Sequence, residues 1–342
     1  MNIFIMQEKS NIKNRDSFGT FPDWAKIHQF KWHSNPASKH FSKTVFDKSF
    51  IRPQTDKAYN YLKKTSEQIT CLESEQKLRK QASKIIDKYS YDSAPMCLGR
   101  TVQTICDARL LPQDELNRIY QTKDRKEIED TARHQMDVYQ PYAYATNDEL
   151  KAKACFEALD DTVHHAMQGL EHAFQLLGLN QWEGETDVFM ELHGIELPYY
   201  FKPDFCNLIE LKIRSPRLNP PRKDGSRTWS KGSIPKTPYA GWLNQVSAYN
   251  SYFERQPVIV CANNVENKVY HPENGDWMLE QDHLNNTMQN IVQDLKRHEH
   301  ILRKSDNLEE LVQMVIPDWD HISWSSMNPE VLDEAKLLFG VI

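Results

Sequence analysis

The sequence predicts an α/β protein, with a mixed central sheet flanked by helices and helical additions at both ends. Three observations carry this. Strand-length apolar runs separated by turn residues fill residues 181–214 and return at 257–271. Segments with a three-to-four-residue apolar period stand before and between these runs, at 149–177 and 239–255, as in helices that pack on a sheet. Outside them, residues 56–89 and 277–339 are charged and helix-prone, with looser apolar stripes. The 342 residues can bury a sizeable core, as one large domain or two small ones. The expected division is an arm and helical region over 1–92, a core over 93–275, and helices packed on that core over 276–342.

Hydrophobic residues make up 39% of the chain and charged residues 26%, with a net charge of −6. A chain this acidic has no global basic footprint, so any nucleic-acid contact must be local. The cysteines (71, 97, 106, 155, 206 and 261) are scattered, with no C-x-x-C pair and no terminal cluster. That argues against zinc and iron–sulfur sites and for reduced thiols in a cytoplasmic setting. The apolar start, Met1 to Met6, is too short for a signal peptide, and no later run approaches the length of a membrane span.

Residues 1–55 alternate polar and aromatic residues with Pro and Gly breaks, which predicts an irregular arm with one short helix near Trp24–His28. Lys26, Lys31, Lys39, Lys43 and Lys48 make it locally basic. The arm either wraps the chain's own core or clamps DNA. Tyr61, Leu62, Ile69, Leu72, Leu78, Ile85 and Ile86 stripe a helical segment that Ser93-Ala94-Pro95 breaks. A second helix is expected from Leu98 to Ala108 or Leu111, packed through Val102, Ile105 and Leu110, with Pro112 beyond it. A charged, helix-prone stretch ends at Pro141 and Asn147-Asp148. One long helix should then run from Glu149 to Leu177, capped by Gly178. Its histidines, 164, 165 and 172, lack acidic or cysteine partners at ligand spacing and read as surface or core residues.

The sheet begins with runs at 181–193 and 195–205, hinged at Gly194, followed by Leu208–Arg214 as a third antiparallel strand. A helix over Tyr239–Arg255 buries Trp242, Val246, Tyr249 and Phe253. Pro257–Ala262 is a buried strand with a short partner at Lys268–His271. Helices at Trp277–Arg303, Leu308–Val315 and Pro329–Phe339 complete the chain.

The stretch Tyr199–Lys212 is the chemical centre. On a strand, Glu210 and Lys212 share a face. Asp204 joins them only if it lies opposite Glu210. A two-residue turn at Cys206-Asn207 would set Asp204 opposite Ile209 and send the carboxylates to opposite faces. An odd turn centred on Asn207, a residue that tolerates the left-handed conformation, pairs Asp204 with Glu210 and is the expectation. Paired carboxylates repel unless a cation sits between them, and oxygen-only ligation suits Mg²⁺ or Mn²⁺. Lys212 beside them can orient a water or offset charge on a phosphate. In this register Lys202 faces Lys212, a costly pair without an anion nearby. Glu183, Glu185 and Glu191 read as members of a solvated strand face.

Residues 214–238 carry Arg214, Arg217, Arg222, Lys223, Arg227, Lys231 and Lys236 against the single acid Asp224, with Trp229 among them. Their prolines and glycines argue against regular structure. A cationic loop beside a carboxylate site suits phosphate-backbone binding, and Trp229 can stack on a base of a frayed strand.

Pro203-Asp204 followed by Glu210-Leu211-Lys212 resembles the PD-(D/E)xK nuclease signature. Gln245-Val246-Ser247-Ala248-Tyr249 is similar to the Gln-x-x-x-Tyr motif of its RecB-like and lambda-exonuclease-like branch. The likeness covers roughly residues 95 to 275. It implies a restriction-endonuclease-like core and a Mg²⁺- or Mn²⁺-dependent DNA exonuclease of phage recombination, replication or DNA degradation. It implies metal ligation by Asp204, Glu210 and the Leu211 carbonyl, with Lys212 beside the nucleophile and Gln245 and Tyr249 bracing the site. The branch places a His or Glu four residues after a Gly, where this chain has Gln103 after Gly99, with Arg100 facing a phosphate. The partners implied are DNA, further copies of the chain, and a single-strand annealing or binding protein; no iron–sulfur cluster and no membrane are expected. Two other readings stay open: a structure-specific or restriction-like endonuclease, and a DNA-binding scaffold with a decayed site, for which Gln103 is the best argument.

Overall fold

The computed structural model describes residues 21–34, 38–65, 78, 81–82, 87–89, 93–120, 124–140, 148–325 and 327–341. The apolar start and most of the stripe expected over 69–86 lie outside these. The described chain is mixed α/β. It divides into two compact units, residues 1–91, 191–199 and 291–342 forming the first and residues 92–190 and 200–290 the second. Residues from Ile291 onward thus group with the N-terminal segment, where the sequence suggested helices on the core.

The first unit opens with α1 (Asp23–Ile27) and β1 (His33–Ser34), whose His33 N–H donates to the Pro198 carbonyl at 2.9 Å. The irregular arm expected through residue 55 is instead helical from Ser38: α2 (Ser38–Phe46), a π-helical stretch (Asp47–Ile51) and α3 (Arg52–Thr65) follow without a break. Phe41, Val45 and Phe46 are buried on it, a face too short to register as a period. The widened turn sits immediately before Pro53, where a missing N–H and ring crowding oblige an α-helix to give.

In the second unit, α4 (Ala94–Leu110) starts four residues earlier than expected, because Pro95 falls in its first turn, where no N–H is needed. Next come α5 (Gln113–Ile119) and α6 (Arg125–Asp137), the latter capped by the Asp124 carboxylate on the Lys126 N–H at 2.8 Å. The single helix expected over 149–177 is two, α7 (Asp148–Glu157) and α8 (Leu159–Leu176), meeting at Ala158. Gly178, at φ +59°, ends α8. Gly169 lets α8 approach the sheet closely: a Cβ there would lie 2.6 Å from Val260 Cγ1.

The strands depart most from expectation. β2 (Val188–Met190) and β3 (Tyr199–Phe201) are neighbours in a small sheet. β4 (Ile209–Ile213) leaves them: after the ribbon β5 (Arg217–Leu218) and β6 (Trp229–Ser230), helix α9 (Ala240–Phe253) crosses over to β7 (Val258–Ala262), which pairs parallel with β4. β8 (Asn267–Tyr270) pairs antiparallel with β7. The three-strand antiparallel meander is therefore replaced by the order β4-β7-β8. Pro203 supplies the reason, since it has no N–H to carry a ladder from β3 onto β4. Every residue of β7 is buried, and α4, α6 and α8 contribute Leu98, Ile105, Ile128 and Leu170 to the same core.

A 3₁₀ turn (Trp277–Leu279) then precedes α10 (Gln281–Lys304), splitting the helix expected from Trp277. α11 (Leu308–Met314), α12 (Ile322–Ser325) and α13 (Pro329–Leu338) complete the first unit. Among the described residues no helix is long and apolar enough to cross a membrane.

Candidate active site at the start of β4

The turn before β4 has the odd length. Phe205 and Ile209 exchange both backbone bonds, at 3.1 and 2.9 Å, around Cys206, Asn207 and Leu208. Cys206 (φ +50°) and Asn207 (φ +63°) are both left-handed. Continuing the register sets Asp204 opposite Glu210 and Pro203 opposite Leu211. The Leu208 carbonyl and Arg214 N–H bond to β7, so the even-numbered residues of β4 turn their backbone to β7 and the odd-numbered ones turn it to the hairpin. On that hairpin edge the Asp204 carboxylate, through Oδ2, accepts the Leu211 N–H at 2.7 Å. It takes the place of the ladder that Pro203 cannot continue.

Six of the side chains singled out in the sequence converge here. Asp204 Oδ1 accepts from Gln103 Nε2 of α4 at 3.3 Å. Glu210 is 3% exposed; one carboxylate oxygen pairs with Lys212 and the other accepts the Tyr249 hydroxyl of α9. Lys212 Nζ also donates to Gln245 Oε1 at 2.9 Å, so the Gln-x-x-x-Tyr pair of one helix face grips both the amine and an acid. Burial, and then the Glu210 charge, raise the Asp204 carboxyl well above the usual range, with Lys212 and the Leu211 amide opposing. Burial works against the Lys212 charge, but Glu210 and Asp204 outweigh it and hold the ammonium above the ordinary lysine value.

Lys202 turns its ammonium to Glu185, Nζ to Oε2 2.6 Å, which supplies the anion that a Lys202–Lys212 pair would need and gives Glu185 a place beside the site. Glu185 acts electrostatically on Asp204 and also on Asp107, a residue the sequence reading passed over. Asp107 lies one helical turn past Gln103, and that i, i+4 spacing was the available signal. It is 2% exposed, accepts the Tyr120 hydroxyl at 2.6 Å, and burial pushes its carboxyl up to about 7. Arg100 is exposed on α4.

The basic loop is more ordered than its prolines and glycines suggest. β5 and β6 form an antiparallel ribbon with Arg217 opposite Ser230 and Leu218 opposite Trp229. Its tip closes through Arg222 N–H to the Ser226 carbonyl at 2.8 Å and through Asp224 Oδ1, which accepts the Ser226 N–H at 2.9 Å. Arg217, Arg222, Lys223 and Arg227 are exposed along it. Lys231 is tied to Glu266 at 2.5 Å, and Arg214 donates to the Ser233 carbonyl at 3.1 Å and covers the Tyr239 ring. Trp229 is half-buried under Lys151, Nζ 5.7 Å from the ring centroid, so its stacking face is shared with a cation. Replacing Arg222, Lys223 and Arg227 together with glutamine is expected to weaken DNA binding on every sequence and to lower the slope of log K against log salt by two to three units, about 0.9 per phosphate contact. Fluorescence anisotropy across a salt series checks this; an unchanged slope removes the ribbon from the interface.

The oxygens at this site suit a hard cation. Two carboxylates, the Leu211 carbonyl opposite a proline, and the Gln103 amide are all oxygen donors, and the Asp204 carboxyl is raised first by burial and then by the Glu210 charge, a repulsion that a divalent ion would offset. Among the described residues no trio of His, Cys, Asp or Glu converges to hold a metal, so an ion here would rely on two carboxylates and keep waters, as Mg²⁺ does. The described cysteines are buried and form no disulfide with one another. No protein-family model, curated protein or solved structure matches this chain.

Proposed function

We propose that this chain is a divalent-metal-dependent deoxyribonuclease with a restriction-endonuclease-like core, acting as an exonuclease. One observation carries the reading: Asp204, Glu210 and Lys212 meet at one end of β4, braced by Gln103, Gln245 and Tyr249. Asp204, Glu210 and the Leu211 carbonyl would hold Mg²⁺ or Mn²⁺, with Gln103 adding an amide oxygen or holding a water. When bound, the ion supplies Lewis-acid polarisation of a phosphate oxygen.

The chain's own residues do the rest. Lys212, fixed by Glu210 and Gln245, brings a positive charge to where an attacking water and the phosphoryl oxygens meet, offsetting the charge that builds in the transition state. The Tyr249 hydroxyl holds Glu210 in one orientation, so the carboxylate does not reorganise during the reaction. The exposed cations of the β5–β6 ribbon supply sequence-independent attraction to the backbone. Exonuclease rather than endonuclease rests on the resemblance of the motif pair, as do the phage setting, the oligomer and the annealing-protein partner.

The test is release of nucleotides from linear double- and single-stranded DNA with Mg²⁺, by wild type and by Asp204→Ala. Release by wild type alone is expected, abolished by EDTA. Equal release by both proteins dismisses the assignment. Nicking of a closed circular plasmid by wild type, lost in Asp204→Ala, moves the reading to the endonuclease. DNA binding without cleavage by either moves it to the scaffold.

A further inference from the structure

The first unit holds a partly open cavity of about 480 Å³, within the range of roughly 300–1,000 Å³ that buries most of a small organic ligand. Its lining has two chemistries. Lys26, Lys31, Lys48 and Arg52 bring positive charge, and no described lining residue is acidic, although Lys26 pairs with Asp23 at 2.9 Å and Arg52 stands 3.8 Å from Asp56 outside the lining. Phe21, Phe30, Trp32 and Phe41 bring aromatic faces. The basic arm read from the sequence is thus partly folded around one space, although Lys43 pairs with Asp47 instead.

The walls are built and held. Gln29, with a left-handed backbone at φ +57°, presents its carbonyl to Lys48 Nζ at 2.6 Å, and that ammonium stands 4.5 Å from the Phe30 ring centroid. Phe41 stacks on His298 with centroids 4.1 Å apart and planes within 7°. His298 lines the cavity, is 6% exposed, and its Nε2 has no hydrogen-bond partner among the described residues. His33, also in the lining, is fixed by Glu299 at 3.2 Å. Burial, with Arg52 nearby, lowers the Lys48 ammonium to about 8. Arg52 and Lys48 repel one another in this wall even with Asp56 and Asp47 near them, a cost that an anionic ligand relieves.

We infer that this cavity binds a nucleoside monophosphate, the base against the aromatic wall and the phosphate among Lys31, Lys48 and Arg52. Aromatic faces accept any base by stacking, and the surrounding cations select the charged end over a neutral nucleoside. The ligand is either a free nucleotide or the end of a DNA strand. The inference uses only residues of the first unit and is independent of the nuclease reading.

Calorimetric titration in EDTA, where no cleavage occurs, separates the outcomes. Deoxyadenosine monophosphate is expected to bind once per chain, at least tenfold more tightly than deoxyadenosine or inorganic phosphate alone. The double variant Lys31→Gln, Arg52→Gln should weaken the nucleotide tenfold or more and leave deoxyadenosine unchanged, with circular dichroism melting confirming an intact fold. Asp204→Asn should bind the nucleotide as wild type does. Tighter binding by a phosphorylated hexanucleotide than by the mononucleotide assigns the site to strand ends; the reverse assigns it to free nucleotide. No binding at millimolar nucleotide, an unaffected Lys31→Gln, Arg52→Gln variant, or binding lost in Asp204→Asn overturns the inference.

Discussion

Lys212→Met is expected to lower DNA hydrolysis about a hundred- to a thousandfold, the usual cost of losing one preplaced stabiliser of transition-state charge. It should also destabilise the protein at neutral pH. Glu210 is almost fully buried and Asp204 stands beside it, so removing the ammonium leaves two close carboxyls with the Tyr249 hydroxyl and the Leu211 and Gln103 donors as their described partners. Breaking a buried pair from one side costs about 3–5 kcal/mol. The pH dependence has a definite sign. Asp204 already has a raised carboxyl in the folded protein, and without Lys212 the raise grows. A folded state that holds protons more tightly than the unfolded chain is favoured at low pH and loses stability as pH rises through the folded value. The deficit of Lys212→Met relative to wild type should therefore be larger at pH 8 than at pH 5. Urea unfolding at the two values measures it; an equal deficit at both would mean that charge is not what Lys212 contributes.

The second large effect belongs to the first unit. Glu299→Ala is expected to cost about 3–5 kcal/mol. The Glu299 carboxylate, 1% exposed on α10, accepts the Leu197 N–H at 2.8 Å and the Glu196 N–H at 2.9 Å, and pairs with Arg303 at 2.8 Å and His33 at 3.2 Å. It thereby pins residues 196–197 and places Leu197 in a core with Phe30, Phe41 and Leu302. Alanine would leave a buried amide and a guanidinium without this acceptor. Burial pushes the Glu299 carboxyl up, but the His33 bond and the Leu197 and Glu196 amides overcome it and hold the group below the usual value. A depressed carboxyl contributes stability above its unfolded pKa, and that contribution is lost as pH falls through the folded value. Glu299→Gln keeps an acceptor for Leu197 and should lose less. Hydrogen exchange at Leu197 follows both variants; protection unchanged in Glu299→Ala would show that the segment is held by packing alone.

Much of the site was legible because it is local. The parity of a turn decides which side chains share a face, so the five residues between Asp204 and Glu210 were enough to require an odd turn, and Phe205 and Ile209 close it. Gln245 and Tyr249 were legible through helical spacing, and the all-apolar run at 258–262 through its buried-strand pattern. What the sequence hid is non-local. Periodicity is silent on partners, so nothing in residues 209–213 announces that β4 pairs parallel with β7 rather than with β3. Pro203 carried that information, although it was first read only as part of a motif. Pro95 and Pro53 were taken as breaks, yet one opens a helix and the other follows a π turn. Glu185 resembled a solvated strand residue because its importance comes from Lys202, Asp107 and Asp204, each distant in sequence.

The account rests on the carboxylates of Asp204 and Glu210 forming a cation site, and manganese binding followed by electron paramagnetic resonance reads this without reference to any substrate. Wild type should deplete the free Mn²⁺ signal with a saturable site that Mg²⁺ competes away, while Asp204→Asn and Glu210→Gln, folded by circular dichroism, should leave that signal undiminished. Equal uptake by Asp204→Asn and wild type, or none by wild type at millimolar ion, would contradict it.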